Sequence, residues 1–269
     1  MSHRAEAFTR SSEELPLHQV AAGLATQFVG RFILYRTWIG STQDLARRAA
    51  EAGAPEGTLV LADAQGAGRG RLGRPWVSPP GRNLYLSLVL RPPTSCLKAL
   101  ALLAPLAVSR AVEEVTGLRP RIKWPNDILL GPRKLSGVLI DVGLQGRTVR
   151  YALVGIGLNV NLDPSAYPQI AALATSLRAE LGGDVSRVEV LAALLNELEG
   201  LYLGAQRGEP VWRWWRERLE TVGRWVRVRV GSTVEEGLAE DVAEDGSLLL
   251  RRADGSSLAI AAGEVTLAP

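Results

Sequence analysis

The sequence predicts an α/β chain of the α+β kind, a mixed sheet backed by helices, ending in a small all-β unit. Two observations predict it. Up to residue 222, short alternating or apolar runs interleave with longer helical patterns, and from Gly223 onward only strands and tight turns remain. The composition agrees: 46% hydrophobic and 22% charged over 269 residues suits a globular chain with core enough to fold without disulfide staples.

The elements follow in order. Residues 1–30 form an N-terminal extension of mixed charge, with a helix expected from Leu15 to Phe28, and Arg31–Trp38 alternates as a strand. Ser41-Thr42-Gln43-Asp44 precedes LARRAAEAG. Ser41 with Asp44 three residues on has the form of a capping box, and Gly53 supplies the helix stop. Thr58–Ala62 is a short apolar strand; Asn83–Leu90 alternates and then turns apolar, as in a half-buried strand. Lys98–Thr116 reads as a helix ended by Gly117, and Arg121–Trp124, Val138–Val142 and Val149–Gly155 as strands, several joined by hairpins. Asp184–Leu203 is an amphipathic helix and Val211–Leu219 a tryptophan-bearing one. In the tail, RWVRVRV alternates, and Asp245-Gly246 and Asp254-Gly255 mark tight turns. Residues 223–269 have the size of an SH3-like barrel, so the expected division is 1–30, 31–222 and 223–269.

Several classes are excluded early. Cys96 is the single cysteine, which removes an intramolecular disulfide and any cysteine-cluster zinc site. His3 and His18 leave little material for histidine chemistry. The longest apolar stretch, Ala99–Val108, is interrupted by Pro105 and falls short of the ~20 residues of a membrane span. The N-terminus has no apolar signal region, so a cytoplasmic protein is expected. A net charge of +3 is too small to mark a nucleic-acid binder. Among 31 basic residues only Lys98, Lys123 and Lys134 are lysines, and two of them fall close together.

Four segments carry ligand-type chemistry. In Gln65–Arg74, followed by Pro75 and Trp76, glycines 66, 68, 70 and 73 admit close backbone approach, while Arg69, Arg71 and Arg74 offer three forks for carboxylate or phosphate oxygens. A short Arg/Gly tract for RNA is the alternative reading. No Gly-Lys-Ser/Thr follows, so it is not a Walker A loop. Lys123-Trp124-Pro125-Asn126-Asp127 ends a strand and would place Asn126 and Asp127 on a turn, either as metal and ligand contacts or as ordinary turn residues. Arg133-Lys134-Leu135-Ser136-Gly137 puts a lysine at the head of a strand, aimed at a cleft or simply exposed. In Val154–Val160 alternating glycines imply something pressed against the strand, a ligand or a tight sheet centre, with Asn159 beside it.

In this order the four segments resemble the catalytic domain of the biotin protein ligases over about residues 31–222, and the tail resembles that family's SH3-like C-terminal domain. The resemblance implies an α/β catalytic domain related to class II aminoacyl-tRNA synthetases. It also implies a two-step reaction: MgATP and biotin give biotinyl-5′-AMP, and a lysine of the biotin carboxyl carrier protein of acetyl-CoA carboxylase then takes the biotinyl group. By position, Ser41, Thr42, Gln43 and Gln65 would meet the biotin head. Arg69, Arg71 and the Gly70 backbone would hold the valeryl end, and Gly137 and Gly155 would approach the rings. Arg74 would face phosphate, and Trp76, Lys123, Asn126 and Asn159 the nucleotide; Asp127 would serve Mg²⁺. Lys134 is expected to be the main catalytic residue, and Ser41 has a rival role as helix cap. Gln43 stands where the family often has Asn. About 30 residues precede the first core strand, too few for the family's N-terminal DNA-binding domain, so no operator binding is expected; homodimers occur in the family. A lipoate or octanoate ligase of related fold usually shows an Arg-Arg-x-Ser-Gly-Gly loop, absent here.

Overall fold

The computed structural model describes residues 14–146 and 148–267; His3 and the rest of 1–13 lie outside the described residues. The chain opens with α1 (Leu17–Gly23), β1 (Ile33–Ile39), α2 (Thr42–Glu51), β2 (Leu59–Gln65) and β3 (Leu84–Leu90). A long helix α3 (Leu97–Thr116) leads to β4 (Arg121–Lys123), β5 (Asp127–Leu130), β6 (Arg133–Gln145) and β7 (Thr148–Leu158). Then come α4 (Leu177–Leu181), α5 (Arg187–Gln206), α6 (Val211–Glu217), and strands β8 (Trp225–Val230), β9 (Thr233–Val242), β10 (Leu248–Arg251), β11 (Ser257–Ile260) and β12 (Glu264–Leu267).

The first seven strands form one mixed sheet in the order β1-β2-β3-β7-β6-β5-β4. β1 and β2 are parallel, as a strand–helix–strand crossover through α2 requires, and every other pair is antiparallel. Helix α3 carries the chain from β3 to the far edge, and β4 to β7 return as a meander. Two-face coverage changes one expectation. β3 is buried along its whole length: Leu84, Leu86, Leu88 and Leu90 face the main core, while Val89 joins Val60, Ala46, Ala50, Tyr151 and Leu153 under α2. A strand with helices on both faces has no solvent side, so the half-buried reading of this run is corrected.

Two helices, α1 and α5, also differ from expectation. α1 ends at Gly23 because the N–H groups of Gln27, Phe28 and Val29 donate to the Glu199 carboxylate of α5 instead of continuing a helix. α5 is not amphipathic in the ordinary sense: Val190–Leu195 is one continuous buried run, since α1, α3 and α6 all pack on it. α3 continues through Pro105 at the loss of one backbone donor. By length and composition the segment Thr94–Thr116 is long and apolar enough to cross a membrane, yet 67% of its most apolar window is buried inside this fold.

The last five strands form an antiparallel sheet, β11-β10-β9-β8-β12, joined tightly to the first. The connector extends the β4 edge: Ile122 N–H donates to Arg218 O at 2.8 Å and Glu220 N–H to Ile122 O at 2.9 Å. Buried Trp124 donates its N–H to Thr221 Oγ1 and its indole N–H to Gly246 O, both at 2.9 Å. Lys98 of α3 pairs with Asp245 at 3.0 Å. The β9–β10 turn is therefore seated on α3 and Trp124, which brings β12 to the rim of the large sheet.

Candidate active site

The residues to which the resemblance assigns a ligand contact all line one cleft of about 380 Å³ on the α2 face of the large sheet, whereas Gly66, Gly68 and Gly73 do not line it. Its floor is backbone. A Cβ on Gly155 would stand 2.6 Å from Gln43 Oε1, and one on Gly157 would stand 2.5 Å from the Trp76 indole. Both positions must be glycine for those groups to lie flat on β7.

The inner end is polar and belongs to the start of α2. Thr42 N–H donates to Gln65 Oε1 at 2.8 Å, and the Thr42 hydroxyl lies 3.1 Å from the same oxygen. Gln65 then donates from Nε2 to Ser78 Oγ at 3.2 Å. The Ser87 hydroxyl donates to Gln43 Oε1 at 2.7 Å and lies 3.0 Å from Thr42 Oγ1. The expected capping box of Ser41 and Asp44 does not form. Ser41 occupies the N-cap position but makes no side-chain cap bond, and Gln65 takes a helix N–H instead. Asp44 turns away to Arg69, and the two form a bidentate pair at 2.9 and 2.5 Å. The Arg69 fork holds the Asp44 carboxyl below its ordinary range, and Asp44 raises Arg69 in return.

The Arg/Gly segment is an ordered strap. Gly66 and Ala67 N–H groups donate to Ile39 O and Gly40 O, Gly70 N–H to Arg74 O, and Trp76 N–H to Gly68 O. Each arginine reaches a different wall. Arg69 holds α2, Arg71 Nη1 donates to Asn126 Oδ1 at 3.0 Å, and Arg74 pairs with Glu264 of β12 at 2.7 Å. Asn126 sits on the turn as expected and anchors it by donating to Val138 O at 2.6 Å. Asp127 does not: it opens β5 in register with Lys123 and Gly137, because the ladder resumes immediately after the Trp124–Asn126 turn.

Lys134, on β6, places Nζ 2.6 Å from Asp127 Oδ1 and 5.4 Å from the centre of the Trp76 ring. Lys123 faces the same space. At the outer end, Asn159 donates to Thr175 O at 3.0 Å and accepts from Asn83 Nδ2 at 3.3 Å, beside an apolar lip of Ile170, Leu173 and Ala174. Five cations thus face two carboxylates, Asp127 and Glu264, among the described lining residues. No group of three His, Cys, Asp or Glu side chains is poised for a metal among the described residues. That donor set suits Mg²⁺ carried in on phosphates and touched by one carboxylate, rather than a protein cage.

Sequence reasoning missed Ser87, the Ile170–Ala174 lip and Glu264. Ser87 had a signal, as the one small polar residue inside LYLSLVL. Glu264 had none, since only the seating of the second sheet brings it to the rim.

Comparison with known proteins decides the family. Residues 35–159, which include the strap, the KWPND turn, Lys134 and the glycine strand, match the biotin/lipoate A/B protein ligase family. Residues 221–267 match the biotin protein ligase C-terminal domain. The bifunctional ligase/repressor BirA of Bacillus subtilis is 36% identical over 242 residues, covering 88% of this chain and 74% of that protein. The chain belongs to the biotin protein ligase family. The biotin–[acetyl-CoA-carboxylase] ligase of Paracoccus denitrificans is 35% identical over 77% of this chain and 88% of its own. The biotin protein ligase of Aquifex aeolicus, solved with biotin and ATP, superposes with a TM-score of 0.74 at 31% identity over 88% of this chain and 99% of that one. This biotin protein ligase therefore shares both the catalytic sheet and the appended small sheet with its relatives.

Proposed function

We propose that this ligase activates biotin with MgATP and transfers it to a lysine of a biotin carboxyl carrier protein of acetyl-CoA carboxylase. A carboxylate oxygen of biotin attacks the α-phosphorus, forming biotinyl-5′-AMP and releasing pyrophosphate. The carrier lysine, as the free amine, then attacks the acyl carbon; an amide forms, AMP leaves and the amine loses a proton. The observation that carries this reading is one cleft with a polar inner end, a flat glycine floor and five cations in its lining. Two anions repel each other, and such a concentration of positive charge lets them meet.

The inner end, Ser41, Thr42, Gln43 and Gln65, takes the polar head of the acid. Arg69 and Arg71, with the Gly70 backbone, hold its carboxylate end beneath the strap, which keeps water from the mixed anhydride. Lys134 exchanges Asp127 for the α-phosphate and stabilises the charge that grows there; Arg74 exchanges Glu264 for the outer phosphates in the same way. Asp127, once released, is the carboxylate offered to Mg²⁺. Lys123, Asn126, Asn159 and Trp76 line the nucleotide half. Gly137 and Gly155 act through the groups that lie on them. The match of residues 221–267 favours biotin over lipoate. The partners in this reading are biotin, ATP and the carrier, in the cytoplasm, without DNA or membrane.

The test is transfer. Incubated with biotin, MgATP and a biotin carboxyl carrier domain, the protein should add one biotinyl mass to the carrier. Replacing the carrier's target lysine by arginine should abolish it. Mass addition that ignores that replacement would overturn the reading.

A further inference from the structure

We infer that Gln43 is the residue that fixes how large an acid head-group this cleft admits; the inference rests on the biotin reading above. Gln43 is a polar side chain buried to 4% exposure, and its carboxamide is held by two strands, β3 and β7. It projects from the first turn of α2, accepts the Ser87 hydroxyl of β3 at 2.7 Å, and reaches Leu153 O of β7 with Nε2 at 3.4 Å. Its Oε1 also lies over Gly155, where a Cβ would be 2.6 Å away.

Both ends of the amide are thus engaged and its underside rests on backbone. A side chain held this way does not swing aside for a ligand; it is a fixed wall at the polar end, next to Thr42 and Gln65. The bare face of Gly155 serves to seat that wall. One methylene more or less on a ligand is worth about 10- to 200-fold in a fitted apolar pocket, and a rigid wall sets where that limit falls. Asn at this position would draw the amide back by one methylene from Ser87 and Leu153 and open that much depth.

The experiment compares biotin with a set of analogues that each carry one added methyl on the bicyclic head. The readout is kcat/KM for acid-dependent ATP–pyrophosphate exchange, with thermal unfolding as the check of folding. The wild type should favour biotin over at least one analogue by about 10-fold or more. In Gln43→Asn, biotin turnover falls, yet its advantage over that analogue shrinks by about 10-fold. Ser87→Ala frees the same wall without shortening it, so it should shrink the same preference and serves if Gln43→Asn does not fold. A preference unchanged in the folded variants, or an equal loss for every acid, would overturn the inference. A wild type inert toward biotin and all analogues would overturn the biotin reading itself.

Discussion

Lys134 Nζ lies 2.6 Å from Asp127 and 5.4 Å from the Trp76 ring centre, against the bare Cα of Gly137. A compact ammonium so placed approaches a phosphate oxygen as a point charge, which a guanidinium would do less closely. Lys134→Ala should therefore lower biotin adenylation on the order of 10²-fold or more, read as pyrophosphate exchange; activity within a few-fold of wild type would reduce it to a surface lysine. Arg71 ties the strap to the KWPND turn through Asn126. Arg71→Gly should loosen that tie and let biotinyl-AMP escape. Bystander proteins would then be labelled alongside the carrier, and unchanged selectivity would contradict the retention role. At this scale the sequence was most informative where residue type is chemically demanding: the arginines among glycines and two of three rare lysines. It was silent on partners. That Arg69 binds Asp44, and Arg74 binds Glu264, depends on which walls the fold brings within reach.

The elements repeat that division. Strands, helix stops at Gly53 and Gly117, and the switch to pure β after 222 are local properties, written in periodicity and turn residues. The failures are tertiary. Ser41 loses its capping role because Gln65 arrives from β2, and β3 loses its solvent face because α2 covers it. The seating of the second sheet on α3 is of the same kind and has a pH signature. Asp245 is held at about 2 by its Lys98 partner first and by Ser247 next, below the usual 3.8. A carboxylate depressed on folding contributes stability that is present above pH ~4 and lost as pH falls through about 2. The pair is largely exposed, so Asp245→Asn should cost no more than about 1 kcal/mol at pH 7. The gap to wild type should close as the pH falls from 4 toward 2. A gap that persists at pH 2, by thermal unfolding, would contradict this.

Across the molecule, a buried ion pair joins the outer strands to the helical layer. Arg187 at the head of α5 donates to Asp63 of β2 at 2.9 Å, and Tyr35 of β1 donates its hydroxyl to the same carboxylate. Asp63→Ala strips the carboxylate from both and should cost about 3–5 kcal/mol in urea unfolding; a loss under 1 kcal/mol would show that the fold closes around the gap. That frame and the docked second sheet hold one cleft with a polar inner end and a cationic strap, and the chemistry assigned to it is activation of biotin. The direct test is ATP–pyrophosphate exchange with MgATP, biotin as the acid and lipoate as control. Exchange that requires biotin and ignores lipoate is the predicted result. A folded protein that exchanges with neither acid, or with lipoate alone, would contradict it.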